Sequence, residues 1–369
     1  MLQDNYKYEI EDIVINGFEV DQTELTILMP CLNEEATIHI CVWKARTFLL
    51  ENNINGEVVV SDNGSTDRSI ERARAAGARV IHTNEKGYGS ALINGIINAL
   101  GDYIIMADSD DSYDFLEILP IYEKLKEGYD LVMGNRFKNK IQKNAMPFLH
   151  RWLGNPVLSF IGRIFYKSKV GDFHCGMRGF TKDAFERMDL HTTGMEFASE
   201  MIVKASLAKL KIAEVPITLY PDGRTGKSHL NTWGDGWRHL RFLLLYSPRW
   251  LFLYPGILAM MIGFIVTLWA LPNPHQGLDI HTIIFAVGAV LVGFQSVFFA
   301  IATKAFAIHD KLLPRSSRLE RLLDKISLEL ALKIGSLFVM LGFAGGIYLI
   351  IIWLNTYFWE LGITVTTRL

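Results

Sequence analysis

Cysteine is scarce in this chain of 369 residues. The three present, Cys31, Cys41 and Cys175, are odd in number and lack the spacing of a zinc site, which fits small buried thiols in a reducing compartment. Excess charge is also missing. With 37 basic and 39 acidic residues the formal charge is -2, so there is no overall basic field for nucleic acid. The first seventeen residues, MLQDNYKYEIEDIVING, have neither a positive start nor an apolar stretch, and no cleavable signal peptide is expected. Apolar residues, in contrast, are abundant. They make up 50% of the chain, the mean hydropathy is +0.20, and the surplus collects in the last third.

From about Glu24 to Leu219 the pattern alternates strand and helix. Short apolar runs at 25–29, 57–61, 79–82, 103–107 and 131–133 read as strands. Residues 34–50, 65–76, 89–100 and 116–127 read as the intervening helices. Regular alternation with apolar strands predicts an α/β fold with a mostly parallel sheet covered on both faces. Ile13–Ile15 is a candidate edge strand before it.

Beyond Ser247 the chain changes character. Runs at 251–271, 282–303 and 334–354 carry no charge and, at about 1.5 Å per residue, are long enough to cross a bilayer core. Gly342 and Gly346 form a GxxxG, a candidate helix contact. The link Pro272–Ile280 has no Lys or Arg, whereas Lys304–Lys333 carries seven, Lys304, Lys311, Arg315, Arg318, Arg321, Lys325 and Lys333. The positive-inside rule then places the long loop and the N-terminal domain in the cytoplasm and the C-terminus outside, as in a plasma or inner membrane protein. Trp233, Trp237, Leu240 and Leu244 recur at helical spacing with Arg238, His239 and Arg241 between them. This predicts a helix lying in the membrane interface, or packed on the globular domain. The expected organisation is an extension (1–23), an α/β domain (24–230), an amphipathic helix (231–249) and a membrane domain (250–369).

Four segments fall at strand carboxyl ends, where open α/β sheets bind ligands. They are Met29–Glu35, Ser61–Asp67, Glu85–Ser90 and the acidic turn Asp108–Asp111. Crowded carboxylates at one strand end repel each other unless a cation sits among them, and a hard, oxygen-preferring ion such as Mg2+ or Mn2+ suits such a site. Asp62 can accept from a base N–H or ribose hydroxyl, and Asp67 suits a helix start. Lys86 beside Gly87 and Gly89 offers a cation and open N–H groups to a diphosphate. The third glycine of a Rossmann fingerprint is absent.

In this order and spacing, PCLNEE, SDNGSTD, EKGYGSALINGI and DSDDSYD resemble family 2 glycosyltransferases of the GT-A fold. Gly134-Asn-Arg136, Asp172–Arg178 and Arg224-Thr-Gly-Lys-Ser228 are similar to further elements of that family, in its polyprenyl-phosphate (dolichyl-phosphate mannose synthase type) subgroup. The resemblance implies that Pro30, Asn33, Glu35 and Asp62 shape the nucleotide pocket and that Lys86 approaches the diphosphate. Asp108 and Asp110 would bind the metal and the donor. Arg136 would meet phosphate. Asp172 would lie near the reacting centre, with Arg178 in the same element. Arg224, Lys227 and Ser228 would form a loop closing over phosphates. Two positions depart from the pattern. Asn63 stands where the family has a second Asp, and Ser112 stands where some relatives have a metal-holding Gln, with Asp111 as the alternative ligand.

The implied activity is inverting transfer of a sugar from a UDP- or GDP-linked donor to an undecaprenyl- or dolichyl-type phosphate, in cell-envelope glycan synthesis. Homo-oligomerisation is left open. A processive polysaccharide synthase would share the domain and tail, but residues 233–239 lack its Gln-x-x-Arg-Trp segment. An inactive membrane anchor or binding module would not need intact acids. A nucleotidyltransferase would need a Gly-rich triphosphate loop that PCLNEE does not offer.

Overall fold

The computed structural model describes residues 23–224, 232–270, 280–309, 313 and 328–355. The segment holding Ile13–Ile15, and Lys227 and Ser228, lie outside the described residues. Two compact units interleave along the chain. The first comprises residues up to Ala145, Gly176–Phe185 and Val215–Lys227. The second comprises Met146–Cys175, Glu186–Glu214 and everything from Ser228.

Among the described residues there are seven strands, β1 (Leu25–Cys31), β2 (Gly56–Asp62), β3 (Arg79–His82), β4 (Tyr103–Met106), β5 (Leu131–Asn135), β6 (Arg178–Thr181) and β7 (Ile212–Pro216), in the order β3-β2-β1-β4-β6-β5-β7. Every residue of β1 is buried, as expected of a central strand covered on both faces. β1 pairs in parallel with β2 and β4, and β2 with β3. β6 runs antiparallel between β4 and β5, so the sheet is mixed. The sequence pattern gave no strand there: four residues with a glycine at the second position hold no alternation to read.

The helices of this unit are α1 (Ile38–Glu51), α2 (Ser69–Ala75), α3 (Tyr88–Ile97) and α4 (Leu119–Lys126), with α6 (Lys182–Met188) following β6 across the boundary between the units. Three begin later than the sequence pattern suggests, α1 at 38, α2 at 69 and α4 at 119. Residues 65 and 66 do not start α2, because the Ser65 N–H donates to Asp62 and the Thr66 N–H donates to the Asn33 side chain. Local side-chain acceptors win those N–H groups from the helix. Asp67 accepts from the Ser69 N–H in a local turn just ahead of α2, whose N-cap position is taken by Arg68.

In the second unit, α5 (Asn155–Tyr166), α7 (Phe197–Leu207) and α8 (Thr232–Leu245) share a core built on Val203, Phe242 and Leu243, with Leu158, Ile161 and Phe165 packed against it. Helix α8 therefore packs on other helices of its own unit, while Trp233 and Trp237 stay 78% and 60% exposed. Buried Glu200 receives the N–H groups of His191 and Thr192 and pairs with Lys204 at 3.0 Å.

Among the described residues three helices are long and apolar enough to cross a membrane: 249–270, entered by a π-helical turn before α9 (Tyr254–Ala270), α10 (Ile280–His309) and α11 (Leu328–Asn355). Each contains one expected run almost entirely; only residue 271 of the first falls outside the described residues. Helices α9 and α10 approach through glycines. A Cβ on Gly263 would lie 2.4 Å from the Ala286 carbonyl oxygen, and one on Gly256 2.8 Å from that of Gly293. Small residues are what permit such backbone contact. At Gly342 and Gly346 a Cβ meets nothing within 4 Å, so the GxxxG makes no contact among the described residues. Gly263→Leu should separate α9 from α10 and lower the unfolding midpoint in detergent, at a cost of about 1–3 kcal/mol, whereas Gly342→Leu should leave it unchanged. Thermal scans of the two variants check this.

Candidate active site

The parallel strands deliver their carboxyl ends to one edge of the first unit. There β1 runs into Leu32–Glu35, β2 into Asn63–Asp67, and β4 into Asp108–Asp111. The Ser109 hydroxyl donates to the Pro30 carbonyl at 2.7 Å, and the Thr37 hydroxyl donates to the Ser109 carbonyl at 2.8 Å. The acidic turn is thereby fixed to the end of β1.

Asp108 accepts a hydrogen bond from the Tyr88 hydroxyl at 2.9 Å. Burial, and then the charge of Asp110, push its carboxyl up to about 6. Asp110 is 8% exposed. One of its oxygens accepts from both the N–H and the hydroxyl of Ser112, at 3.1 and 2.6 Å. The other lies 3.2 Å from Arg224, whose same nitrogen is 2.6 Å from buried Glu34. Burial raises the Glu34 carboxyl to about 7, with Arg224 opposing the shift and Asp110 adding to it. Arg224 arrives on a strand-like segment pinned to the acidic turn: the Tyr220 N–H donates to the Ser112 carbonyl, and the Gly223 N–H donates to the Asp110 carbonyl.

Asp111 and Ser112, the alternatives for a third ligand, are otherwise engaged. Asp111 adopts a left-handed backbone (φ 61°) and pairs with Lys44 at 2.8 Å, while Ser112 orients Asp110. Among the described residues no group of three or more His, Cys, Asp or Glu is arranged to hold a metal. Asp108 and Asp110 nonetheless fit a hard divalent ion, which is commonly held by one or two carboxylates with substrate phosphates completing its shell. Two observations support the fit. The charge of Asp110 raises the proton affinity of Asp108 across a turn where Arg224 is the countercharge nearest Asp110. In addition, the buried Nε of Arg224 has no hydrogen-bond partner among the described residues, leaving a donor for a phosphate oxygen.

The remaining expected residues fall as follows. Asn33 has φ 56°, and its side chain accepts from the N–H of Thr66. Glu35 accepts from the N–H of Arg68, tying the first loop to the start of α2. Asp62 is buried and spends both oxygens on the N–H groups of Gly64 and Ser65, so it shapes its own turn. Lys86 is exposed. Its loop is held by Asn63, whose amide donates to the Glu85 carbonyl (2.9 Å) and accepts from the Gly87 N–H (2.7 Å). Those two roles together require an amide, which gives the departure at position 63 a purpose. Arg136 is 8% exposed, in a 3-10 turn after β5. Arg178 is fully buried on β6, beside Met106 and Met133, and its charge opposes the rise in Asp108. A Cβ on Gly176 would lie 2.4 Å from an Asp108 oxygen, so the glycine of that element makes room for the acid. Asp172 belongs to the second unit, where it is fully buried and where the N–H groups of Gly171 and Asp172 donate to Glu214.

Glu34, Tyr88 and Lys44 were not singled out from sequence. Glu34 stands next to Glu35 in a turn, where no periodicity separates an inward carboxylate from an outward one.

Comparison with known proteins agrees with this geometry. Residues 26–189 match the family model "Glycosyl transferase family 2", and residues 301–369 match its C-terminal transmembrane region. The chain is 39% identical over 346 residues to the low-salt glycan biosynthesis hexosyltransferase Agl6 of Haloferax volcanii, covering 92% of this chain and 83% of that one. It is 31% identical over 180 residues to a dolichyl-phosphate hexose transferase of the same organism, covering 48% and 75%. A mycobacterial crystal structure shares the fold at a TM-score of 0.50 and 21% identity, over 61% of this chain and 74% of that one. With carboxylates at the strand ends of a mixed GT-A-like sheet, apolar helices later in the sequence and a relative matched along most of both chains, this protein belongs to glycosyltransferase family 2.

Proposed function

We propose that this glycosyltransferase moves a hexose from a UDP- or GDP-linked donor onto a polyprenyl phosphate at the cytoplasmic face of its membrane. The observation that carries the reading is the cluster of Asp108, Asp110, Glu34 and Arg224: acids that need a cation, facing an arginine with a spare donor. The dolichyl-phosphate hexose transferase among its relatives, and helices suited to a bilayer, support a lipid acceptor. Basic residues between α10 and α11 support a cytoplasmic catalytic domain. We retain residues 24–230 as that domain and 250–369 as the membrane domain.

In the reaction, an acceptor phosphate oxygen bonds to the anomeric carbon as the carbon–oxygen bond to the nucleoside diphosphate breaks. The electron pair leaves on the diphosphate, and the sugar inverts. An acceptor phosphate is largely ionised near neutral pH, with a second pKa around 6, so no strong base is required. Asp108 and Asp110 would hold Mg2+ or Mn2+, which when bound neutralises charge developing on the leaving group. Arg224 turns its guanidinium from the acids to the diphosphate, and Lys86 meets the same group from the opposite loop. Asn33, Glu35 and Asp62 hold the backbone of the nucleotide pocket beside Pro30. Arg136 and the Lys227–Ser228 segment bind phosphate. Asp172 and Arg178 position the reacting groups.

Purified protein given radiolabelled UDP-glucose or GDP-mannose, Mg2+ and undecaprenyl phosphate should yield one lipid-soluble monosaccharide product. A water-insoluble polymer would favour the processive synthase, and no turnover with any donor would favour the inactive module. Asn63→Leu should remove both bonds to the Lys86 loop, together worth about 1–3 kcal/mol. The donor KM is then expected to rise roughly tenfold with a smaller change in kcat, which initial rates against donor concentration would measure.

A further inference from the structure

Asp108 and Asp110 are oriented in different ways. Ser112, two residues on, donates its N–H and its hydroxyl to Asp110, so that acid is steadied from inside its own turn. The backbone around Asp108 is also fixed: the Ala107 N–H donates to the Leu28 carbonyl, and the Ser109 hydroxyl donates to the Pro30 carbonyl. What this leaves open is the carboxylate itself, because the last torsion of an aspartate is broad and has no sharp staggered wells. An acid that must meet a cation in one orientation needs a partner for that torsion.

The partner comes from the loop after β3. The Tyr88 hydroxyl donates to Oδ1 of Asp108 at 2.9 Å. Burial, and then the negative charge of Asp108, push the Tyr88 phenol well above its ordinary value, so the hydroxyl keeps its proton and stays a donor. The other oxygen is placed by contact. A Cβ on Gly176 would lie 2.4 Å from Oδ2 of Asp108, and the Gly176 N–H donates to the Tyr113 hydroxyl at 2.9 Å.

Tyr88 is itself held in place. It is the first residue of α3 and follows Gly87, whose φ of 140° favours glycine. The Gly87 N–H is the group that Asn63 accepts at 2.7 Å. Asn63, Gly87, Tyr88 and Asp108 thus form a continuous link between the carboxyl ends of β2, β3 and β4, and that link passes next to Lys86.

We propose that Tyr88 is a positioning residue for the cation site: it fixes Asp108 toward the divalent ion and ties that acid to the loop carrying Lys86, so that ion and donor diphosphate are met in register. The inference rests on the reading of Asp108 and Asp110 as the metal pair.

The test uses the full-length protein in detergent, titrated with Mn2+ in the presence of saturating UDP or GDP. Water-proton relaxation reports the bound ion, because it is enhanced when Mn2+ joins a slowly tumbling protein. Tyr88→Phe removes the hydroxyl and little else. It should raise the Mn2+ dissociation constant about tenfold, the usual loss when a metal ligand's own hydrogen-bond partner is removed. In sugar transfer the half-saturating Mn2+ concentration should rise in step, while kcat at saturating Mn2+ stays near the parent's. Asn63→Leu should shift the Mn2+ constant in the same direction by a smaller factor. Tyr122→Phe removes a hydroxyl that serves Glu24, at the amino end of β1, and should leave the constant unchanged.

A Tyr88→Phe protein that binds Mn2+ like its parent would overturn the proposal. So would a lower thermal midpoint and kcat with the Mn2+ constant unmoved, the mark of a purely structural contact. An equal loss in Tyr122→Phe would overturn it as well. Parental Mn2+ binding in Asn63→Leu would overturn the link to the Lys86 loop. If the parent binds no Mn2+ with either nucleotide, the metal reading itself has failed and this inference with it, which is distinguishable from failure of Tyr88 alone.

Discussion

Asp110→Asn is expected to lower kcat by about 10³-fold or more, equivalent to roughly 4 kcal/mol of lost transition-state stabilisation, while leaving the fold intact. Asparagine is nearly isosteric and still offers an oxygen to Ser112, so the turn fixed by the Ser112 N–H and hydroxyl should survive. The negative charge at the one position that faces both Arg224 and the neighbouring Asp108 is lost. If the proposed role holds, the diphosphate leaves without its main countercharge, and added Mg2+ or Mn2+ should no longer change the protein's intrinsic fluorescence or protease sensitivity. Circular dichroism together with product counting checks both halves. Turnover within tenfold of the parent would remove Asp110 from the metal site.

Arg224→Ala is expected to cost about 10²–10³-fold in kcat, the usual loss when one preorganised charge at a developing anion is removed. It should also unsettle the site, because Glu34 and Asp110 would then face each other across the turn without the guanidinium between them. Arg224→Lys separates the two roles. A single arginine nitrogen makes both carboxylate contacts, so a lysine ammonium can bridge the acids and restore thermal stability. It cannot supply the planar fork, or the spare Nε, to a diphosphate. The expected result is near-parental stability with kcat still depressed. Full recovery of kcat by lysine would reduce Arg224 to a counterion of Glu34 and Asp110.

Much of the scaffold was legible because its physics is local. The buried runs of β1, β2 and β4 are apolar on both faces, so they announce strands without a partner being known. The acids follow β4 directly, so placing the strand placed them. The long helices needed only length and hydropathy. What was not legible depends on residues far apart in the chain. Glu34 and Arg224 are separated by 190 positions, and only the closed sheet brings them within 2.6 Å. The reversal of β6 follows from the pairing of Arg178 with Met106 and Met133, which no window of sequence contains. Asn63 looks like a departure from pattern until the Lys86 loop is seen hanging from it.

By itself the sequence determined the α/β alternation, the acidic turn, the span-length helices and the family resemblance, since composition, period and spacing are properties of neighbours along the chain. Tertiary structure alone decided which carboxylate meets which cation, that Ser112 steadies Asp110 while Asp111 is taken by Lys44, and that Trp152, in the turn before α5, and Phe160, on α5, stay exposed. The pairings with cations turn on distances of 2.6 to 3.2 Å between side chains whose separation in the chain carries no information about their separation in space.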